Sequence, residues 1–175
     1  MATNALNARD LTSSFPRFDL TGQTALVTGA HRGLGKAIAL ALANAGADVA
    51  LGLRDVASGA DLLKEIGAMG RRSLPVQMDV RHLDQIGSAV DEVVAGLGRL
   101  DILVNNAGLG PSAPAEEVTE ENFDLTLDVN VKGVFFAGGR RGRRHSGGHR
   151  PARPAARCLP RTPPRGARRA GRRSG

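Results

Sequence analysis

Thr28-Gly29-Ala30-His31-Arg32-Gly33-Leu34-Gly35 joins a short apolar run to the start of an apolar-periodic segment. Glycines at i, i+4 and i+6 permit a tight turn, close approach of the backbone to a pyrophosphate, and close packing of a helix on a strand. A helix opening at Gly35 would turn its free N–H groups and positive dipole end toward a phosphate on that turn. The spacing departs from G-x-G-x-x-G, and a glycine turn before a helix also occurs for structural reasons alone. Asn105-Asn106-Ala107-Gly108 follows a later apolar run, where it reads either as a ligand-facing loop or as a plain Asn-Gly turn. Asp79 follows another, and its carboxylate could accept from an adenine amino group or cap a helix. His145, His149 and Cys158 titrate in a useful range, but nothing in the sequence positions them.

The elements that must carry these residues alternate. Thr24-Ala-Leu-Val27, Asp48 to Leu53, Ser73 to Met78 and Leu100 to Val104 read as strands, although Pro75 counts against the third. Between them, Gly35 to Ala45, Ala60 to Met69 and Leu83 to Leu97 carry apolar residues at helical spacing, the first two followed by Gly46 and Gly70. Phe123 to Phe136 begins another helical pattern. Strands alternating with helices call for a parallel sheet, and strands apolar throughout call for helices on both of its faces. The expected fold class is α/β, a doubly wound parallel sheet of the Rossmann-like kind, incomplete at about four β-α units.

The 175 residues carry a formal net charge of +7, but this value averages two unlike parts. Residues 1–136 hold 11 Lys and Arg against all 17 Asp and Glu, a net of −6. Residues 137–175 hold 13 Arg and no acidic residue, a net of +13. The basic balance therefore says nothing of the first 136 residues as a nucleic-acid binder. Glycine and proline lack a period, heptads are absent and Cys158 is the single cysteine, which excludes collagen, coiled-coil and disulfide-scaffold classes. No run reaches the roughly 18 to 20 apolar residues of a membrane span, and residues 1–20 lack the apolar core of a secretory signal. A reducing, cytoplasmic compartment is the expectation. The domain reading is a flexible extension over 1–19, a dinucleotide-binding domain over 20–136, and a disordered Arg/Pro/Gly-rich tail over 137–175.

Four motifs in register carry a resemblance: T-G-x-x-x-G-x-G from Thr28, Asp79-Val80, Asn105-Asn-Ala-Gly108, and Asp128-Val-Asn-Val-Lys-Gly133. Together they resemble the short-chain dehydrogenase/reductase family over about Leu20 to Phe136, and the opening Phe18-Asp-Leu-Thr-Gly-Gln-Thr-Ala-Leu-Val-Thr-Gly29 is similar to its sugar dehydrogenases and 3-oxoacyl-carrier-protein reductases. The resemblance implies a nicotinamide dinucleotide cofactor held by Thr28, Gly29, Arg32, Gly33, Leu34 and Gly35. It places Asp79 and Val80 near adenine and Asn106, Ala107 and Gly108 beside the adenine ribose, with Asn105 tying the central strands together. Asn130 matches the helix asparagine that holds a water in the family's proton relay. NAD-specific members end the second strand on an acid; here that position is Leu53, followed by Arg54. Arg32 and Arg54, with no carboxylate between them, favour a 2′-phosphate and hence NADP over NAD. Asp55 is the carboxylate that would reverse this preference.

The family's hydride transfer between nicotinamide and a small carbonyl or alcohol also needs a Ser, a Tyr and a Lys four residues after that Tyr. This chain has no tyrosine, and its last lysine is Lys132. Of the family's catalytic positions, Asn130 alone is matched, so the chain is expected to be inactive. The text changes character after Phe135-Phe-Ala-Gly138, and a frameshift in a GC-rich coding region is the expected cause. A homo-oligomer is expected of the intact family and doubtful for this chain. The competing reading is a non-catalytic dinucleotide-binding module with a basic tail that binds polyanions non-specifically, without aromatic residues for base stacking.

Overall fold

The computed structural model describes residues 18–110 and 113–145. The extension before residue 18 and the tail beyond residue 145, with His149 and Cys158, lie outside the described residues. Four strands form one parallel sheet: β1 (Thr24–Thr28), β2 (Asp48–Leu53), β3 (Ser73–Gln77) and β4 (Ile102–Val104), in the order β3-β2-β1-β4. Helices α1 (Gly33–Asn44), α2 (Ala60–Ala68) and α3 (Leu83–Leu97) make the crossovers. A further helical stretch follows β4: α4 (Glu120–Leu127), a π-helical segment (Asp128–Gly133) and α5 (Val134–His145).

Alternation along each strand sends successive side chains to opposite faces, and both faces are apolar. Leu26 of β1 points into a layer with Ala50, Val76, Ile86, Val90, Val93, Val129 and Ala137, so α3 and the helices after β4 cover that side. Its neighbour Val27 points into the opposite layer with Ala39, Val49, Leu51, Leu62 and Ile66, the side of α1 and α2. The sheet is thus doubly wound, as the strand and helix alternation required. Pro75 is accommodated because β3 is an edge strand among the described residues: there it pairs with β2 alone, with Pro75 opposite Leu51, so the missing N–H breaks no second ladder.

Registers on the two sides of β1 fix where the strands end. Val27 lies opposite Leu51 of β2 and Val104 of β4, so β1, β2 and β4 finish at one level. Chain order runs outward from β1 through β2 to β3, then jumps back across β1 to β4. That reversal is a topological switch point, and it opens a crevice at the carboxyl ends of β1 and β4, where open α/β sheets bind ligands.

Two features differ from the sequence reading. The helical pattern over Phe123 to Phe136 is broken by the π-helical turn at Asp128–Gly133, where Gly133 lets the segment back directly onto Val80. The helix also runs through the composition change at residue 136. Ala137 is fully buried and Arg140 lies against Gly87 of α3, so residues 137–145, read as the start of a disordered tail, are helical. Contact with α3 explains the extension, since Gly138, Gly139 and Gly142 make the local propensity poor. β4 pairs with β1 on one side and, among the described residues, with no strand on the other.

Candidate functional site

The crevice is a cleft of about 450 Å³ whose walls come from the ends of all four strands. The β1–α1 loop contributes Gly29 and His31 to Gly35, β2 contributes Gly52 and Arg54, the β3–α3 loop Met78 to Arg81, and the loop after β4 Asn106 to Leu109. Leu125 and Val129 close it from the helices beyond.

The β1–α1 loop is shaped by two close approaches. Gly29 has φ +65°, a left-handed conformation that side chains other than glycine rarely adopt. A Cβ at Gly35 would lie 2.5 Å from Asn106 Nδ2 and closer still to the Gly29 carbonyl oxygen. The first turn of α1 therefore sits tight against the strand ends. Arg32 occupies the N-cap position with extended backbone and gives α1 no side-chain cap. The helix thus presents its first N–H groups to the cleft loop rather than to a capping oxygen.

The loop after β4 is tied to β1 through Thr28 and Asn106. Thr28 is buried, its Oγ1 donates to Val104 O at 3.3 Å, and it accepts from the backbone N–H of Asn106 at 3.0 Å and of Ala107 at 2.9 Å. Asn106 Nδ2 donates to the carbonyl oxygens of Thr28 at 2.9 Å and Gly29 at 3.2 Å. This corrects the expectation for Asn105, which is exposed: the strand-tying asparagine is Asn106. Which of the two consecutive amides turns inward depends on the pleat at the end of β4, a phase the dipeptide alone does not reveal.

Residues 23–139 match the family described as short chain dehydrogenase. The chain belongs to the short-chain dehydrogenase family. It is 41% identical over 119 residues to 2-dehydro-3-deoxy-D-gluconate 5-dehydrogenase of Escherichia coli (strain K12), covering 68% of this chain and 46% of that protein. Among solved structures, a short-chain type dehydrogenase/reductase from Mycobacterium marinum superposes with a TM-score of 0.70 at 38% identity, over 73% of this chain and 52% of that one. A short chain dehydrogenase from Burkholderia cenocepacia J2315 in complex with NADP gives a TM-score of 0.68 at 40% identity, over 74% and 52%. The chain spans about half the length of the curated relatives it matches.

In this short-chain dehydrogenase fold, Gly29, Arg32, Gly33, Leu34, Gly35, Arg54, Asp79, Val80, Asn106, Ala107 and Gly108 all line one cleft. Thr28 lies beneath it as a linker between strand ends, not on its wall. Asn130, in the π-helical segment, also stands off the wall. Its carboxamide grips Leu109, donating to O at 2.6 Å and accepting from N at 3.0 Å. That grip anchors the loop after β4 to the helix. Asp55 turns away from the cleft: its Oδ1 accepts from Ala57 N at 3.0 Å and caps the short 3₁₀ turn Val56–Gly59. Gln77 Nε2 donates to Arg54 O at 2.7 Å and fixes the backbone from which that guanidinium extends.

His31, Gly52, Met78, Arg81, Leu109, Leu125 and Val129 also line the cleft and escaped the motif reading. Gly52 carried a usable signal, a glycine inside an otherwise apolar strand. Arg81 carried another, as a cation two residues after Asp79. The structure joins them: Asp79 Oδ1 accepts from Arg81 N and Nε, each at 3.0 Å, and Oδ2 accepts from Nε and Nη2. Hydrogen bonds from the Arg81 guanidinium hold the Asp79 carboxyl below its ordinary value of 3.8, with burial opposing them in part.

A pH dependence follows. A carboxyl whose folded value is lowered adds stability that is complete above its unfolded value and lost as pH falls through the folded one. The stability gap between wild type and Asp79→Asn should therefore be constant near neutral pH and narrow below 3.8. Urea unfolding of both proteins between pH ~6 and ~3 checks this, and a gap that stays constant throughout contradicts it.

Proposed function

We propose that this chain binds NADP(H) in the cleft at the carboxyl ends of β1 and β4, and that these 175 residues do not by themselves transfer hydride. The observation that carries the reading is the cradle at Gly29 and Gly35, where a side chain would fill the space beside the α1 N-terminus. The cleft's volume lies within the usual range for ligand sites. Backbone N–H groups of the β1–α1 loop and α1 would bind the pyrophosphate. Asp79 and Val80 would border adenine, and Asn106, Ala107 and Gly108 its ribose. Arg32 and Arg54 would take the 2′-phosphate by charge-assisted hydrogen bonds, with the Asp55 carboxylate engaged at its cap. The complex of the Burkholderia cenocepacia relative with NADP supports this choice of cofactor.

The bound dinucleotide would supply hydride at its nicotinamide. What this chain contributes is binding and orientation, with Asn130 fixing the loop after β4 through Leu109. The absence of tyrosine from the sequence supports the lack of turnover, since the family's proton exchange with a carbonyl or alcohol oxygen uses a Tyr with a Lys beside it. A frameshift after residue 136 accounts for the arginine-rich text that follows. Reading all three frames of the coding DNA across codons 134–142 tests that account, which fails if no frame restores an apolar strand and a Tyr-x-x-x-Lys.

Titration with NADPH and NADH, followed by nicotinamide fluorescence, tests binding. The expected result is saturable enhancement that is tighter for NADPH, with no consumption of NADPH when a panel of small aldehydes and ketones is added. Absence of saturation ends the binding proposal, and steady NADPH oxidation ends the inactivity proposal.

A second reading rests on the 13 arginines beyond residue 136, which would bind polyanions with strong salt dependence. Retention of random-sequence DNA at low salt, lost as salt rises, supports it; no retention at low salt removes it.

A further inference from the structure

We propose that Arg81 is a positioning residue for base recognition: clamped onto Asp79 at the cleft wall, it holds that carboxylate as an acceptor for the exocyclic amino group of adenine. The inference rests on the reading of the cleft as a NADP(H) site and goes beyond it in naming what sets the selectivity for the base.

Asp79 is 8% exposed, and it lines the cleft between Met78 and Val80. Its backbone is held from α3: Gln85 Oε1 accepts from Asp79 N at 2.8 Å, and His82 N donates to Asp79 O at 3.0 Å. Its carboxylate is held differently. Among the described residues, the hydrogen bonds to that carboxylate all come from Arg81, one from the backbone N–H and the rest from the guanidinium. The negative charge of Asp128 in the π-helical segment, itself paired with Lys132 Nζ at 3.1 Å, adds a weaker attraction for the guanidinium. The guanidinium bonds directly to the carboxylate in the cleft.

A carboxylate bonded to a guanidinium stays ionised, so both of its oxygens are acceptors and neither is a donor. Such a group favours an amino group on the base and repels a carbonyl oxygen at the same position. Adenine and hypoxanthine differ at that atom. Removing the fork of Arg81 leaves the carboxylate with one backbone donor and free to rotate, and selectivity should fall while the phosphate contacts remain. Lysine offers a single-point charge in place of a planar fork and should restore part of the selectivity.

The test is a fluorescence titration of the full chain with NADPH and with its reduced hypoxanthine analogue, which share the fluorophore and the 2′-phosphate. Wild type should prefer the adenine form about tenfold or more, the scale of a hydrogen bond to a charged group. Arg81→Leu should bring that ratio close to unity with little change in affinity for the hypoxanthine form, and Arg81→Lys should give an intermediate ratio. The preference for NADPH over NADH should be unchanged in both variants, a readout that general loss of structure would not spare. Equal binding of the two bases by wild type, or a full preference kept by Arg81→Leu, overturns the inference and leaves the NADP(H) reading intact. If Arg81→Leu does not fold, a full wild-type ratio in Arg81→Lys overturns it equally. Failure of wild type to bind either form overturns both readings.

Discussion

Gly35→Ala should cost about 3 kcal/mol of unfolding free energy and at least about a hundredfold in NADPH affinity. The added Cβ would fall 2.5 Å from Asn106 Nδ2 and still closer to the Gly29 carbonyl oxygen. A carbonyl at the end of a central strand cannot swing aside as the tip of a surface side chain can. Relief requires α1 to move off the strand ends, which breaks the bonds from Asn106 to Thr28 and Gly29 and opens the cradle. Gly33→Ala is the informative comparison. Nothing lies within 4 Å of a Cβ there, but φ is +55°, so the cost is backbone strain alone, about 1 to 2 kcal/mol. Urea unfolding curves rank the two, and a Gly35→Ala protein within ~0.5 kcal/mol of wild type would show that the close approach does not matter.

The double variant Arg32→Ala/Arg54→Ala should lower NADPH affinity by about a hundredfold and leave NADH affinity within about twofold. Each guanidinium to phosphate contact is a charge-assisted hydrogen bond, but both side chains are exposed, so solvent screening trims the sum. The loss should diminish as salt is raised, because salt already weakens the wild-type interaction. Paired titrations with the two cofactors decide the matter: equal losses for NADPH and NADH would mean that these arginines serve the shared part of the dinucleotide and not the 2′-phosphate. An unchanged NADPH affinity would remove them from the site altogether. Neither substitution touches the core, since both residues lie on the cleft wall, and thermal stability should stay close to wild type.

Periodicity in the sequence determined the architecture. Apolar runs of four to six residues alternating with helical stripes have one good solution, a parallel sheet buried on both faces, because each apolar face must be covered and parallel strands need crossovers. The glycine loop and the stretch from Asn105 to Gly108 were legible as a pair for the same reason: both follow strands, and parallel strands bring their carboxyl ends to one edge. The amino-acid text also carried the break in character after residue 136 and the absence of tyrosine, since composition is independent of folding.

Tertiary structure decided the rest, wherever the outcome depends on phase or on a partner distant in sequence. Asn106, not Asn105, turns inward because of the pleat of β4 against β1. Arg140 and Ala137 belong to a helix because α3 lies beneath them, a contact that local composition does not announce. The π-helical turn at Asp128–Gly133 interrupts what reads as one helix, with Asn130 gripping Leu109 and Gly133 against Val80. The Asp79–Arg81 clamp stands between the two cases: the spacing of two residues allows the pair to share a side, but the bonding of the guanidinium to both carboxylate oxygens is a matter of side-chain geometry.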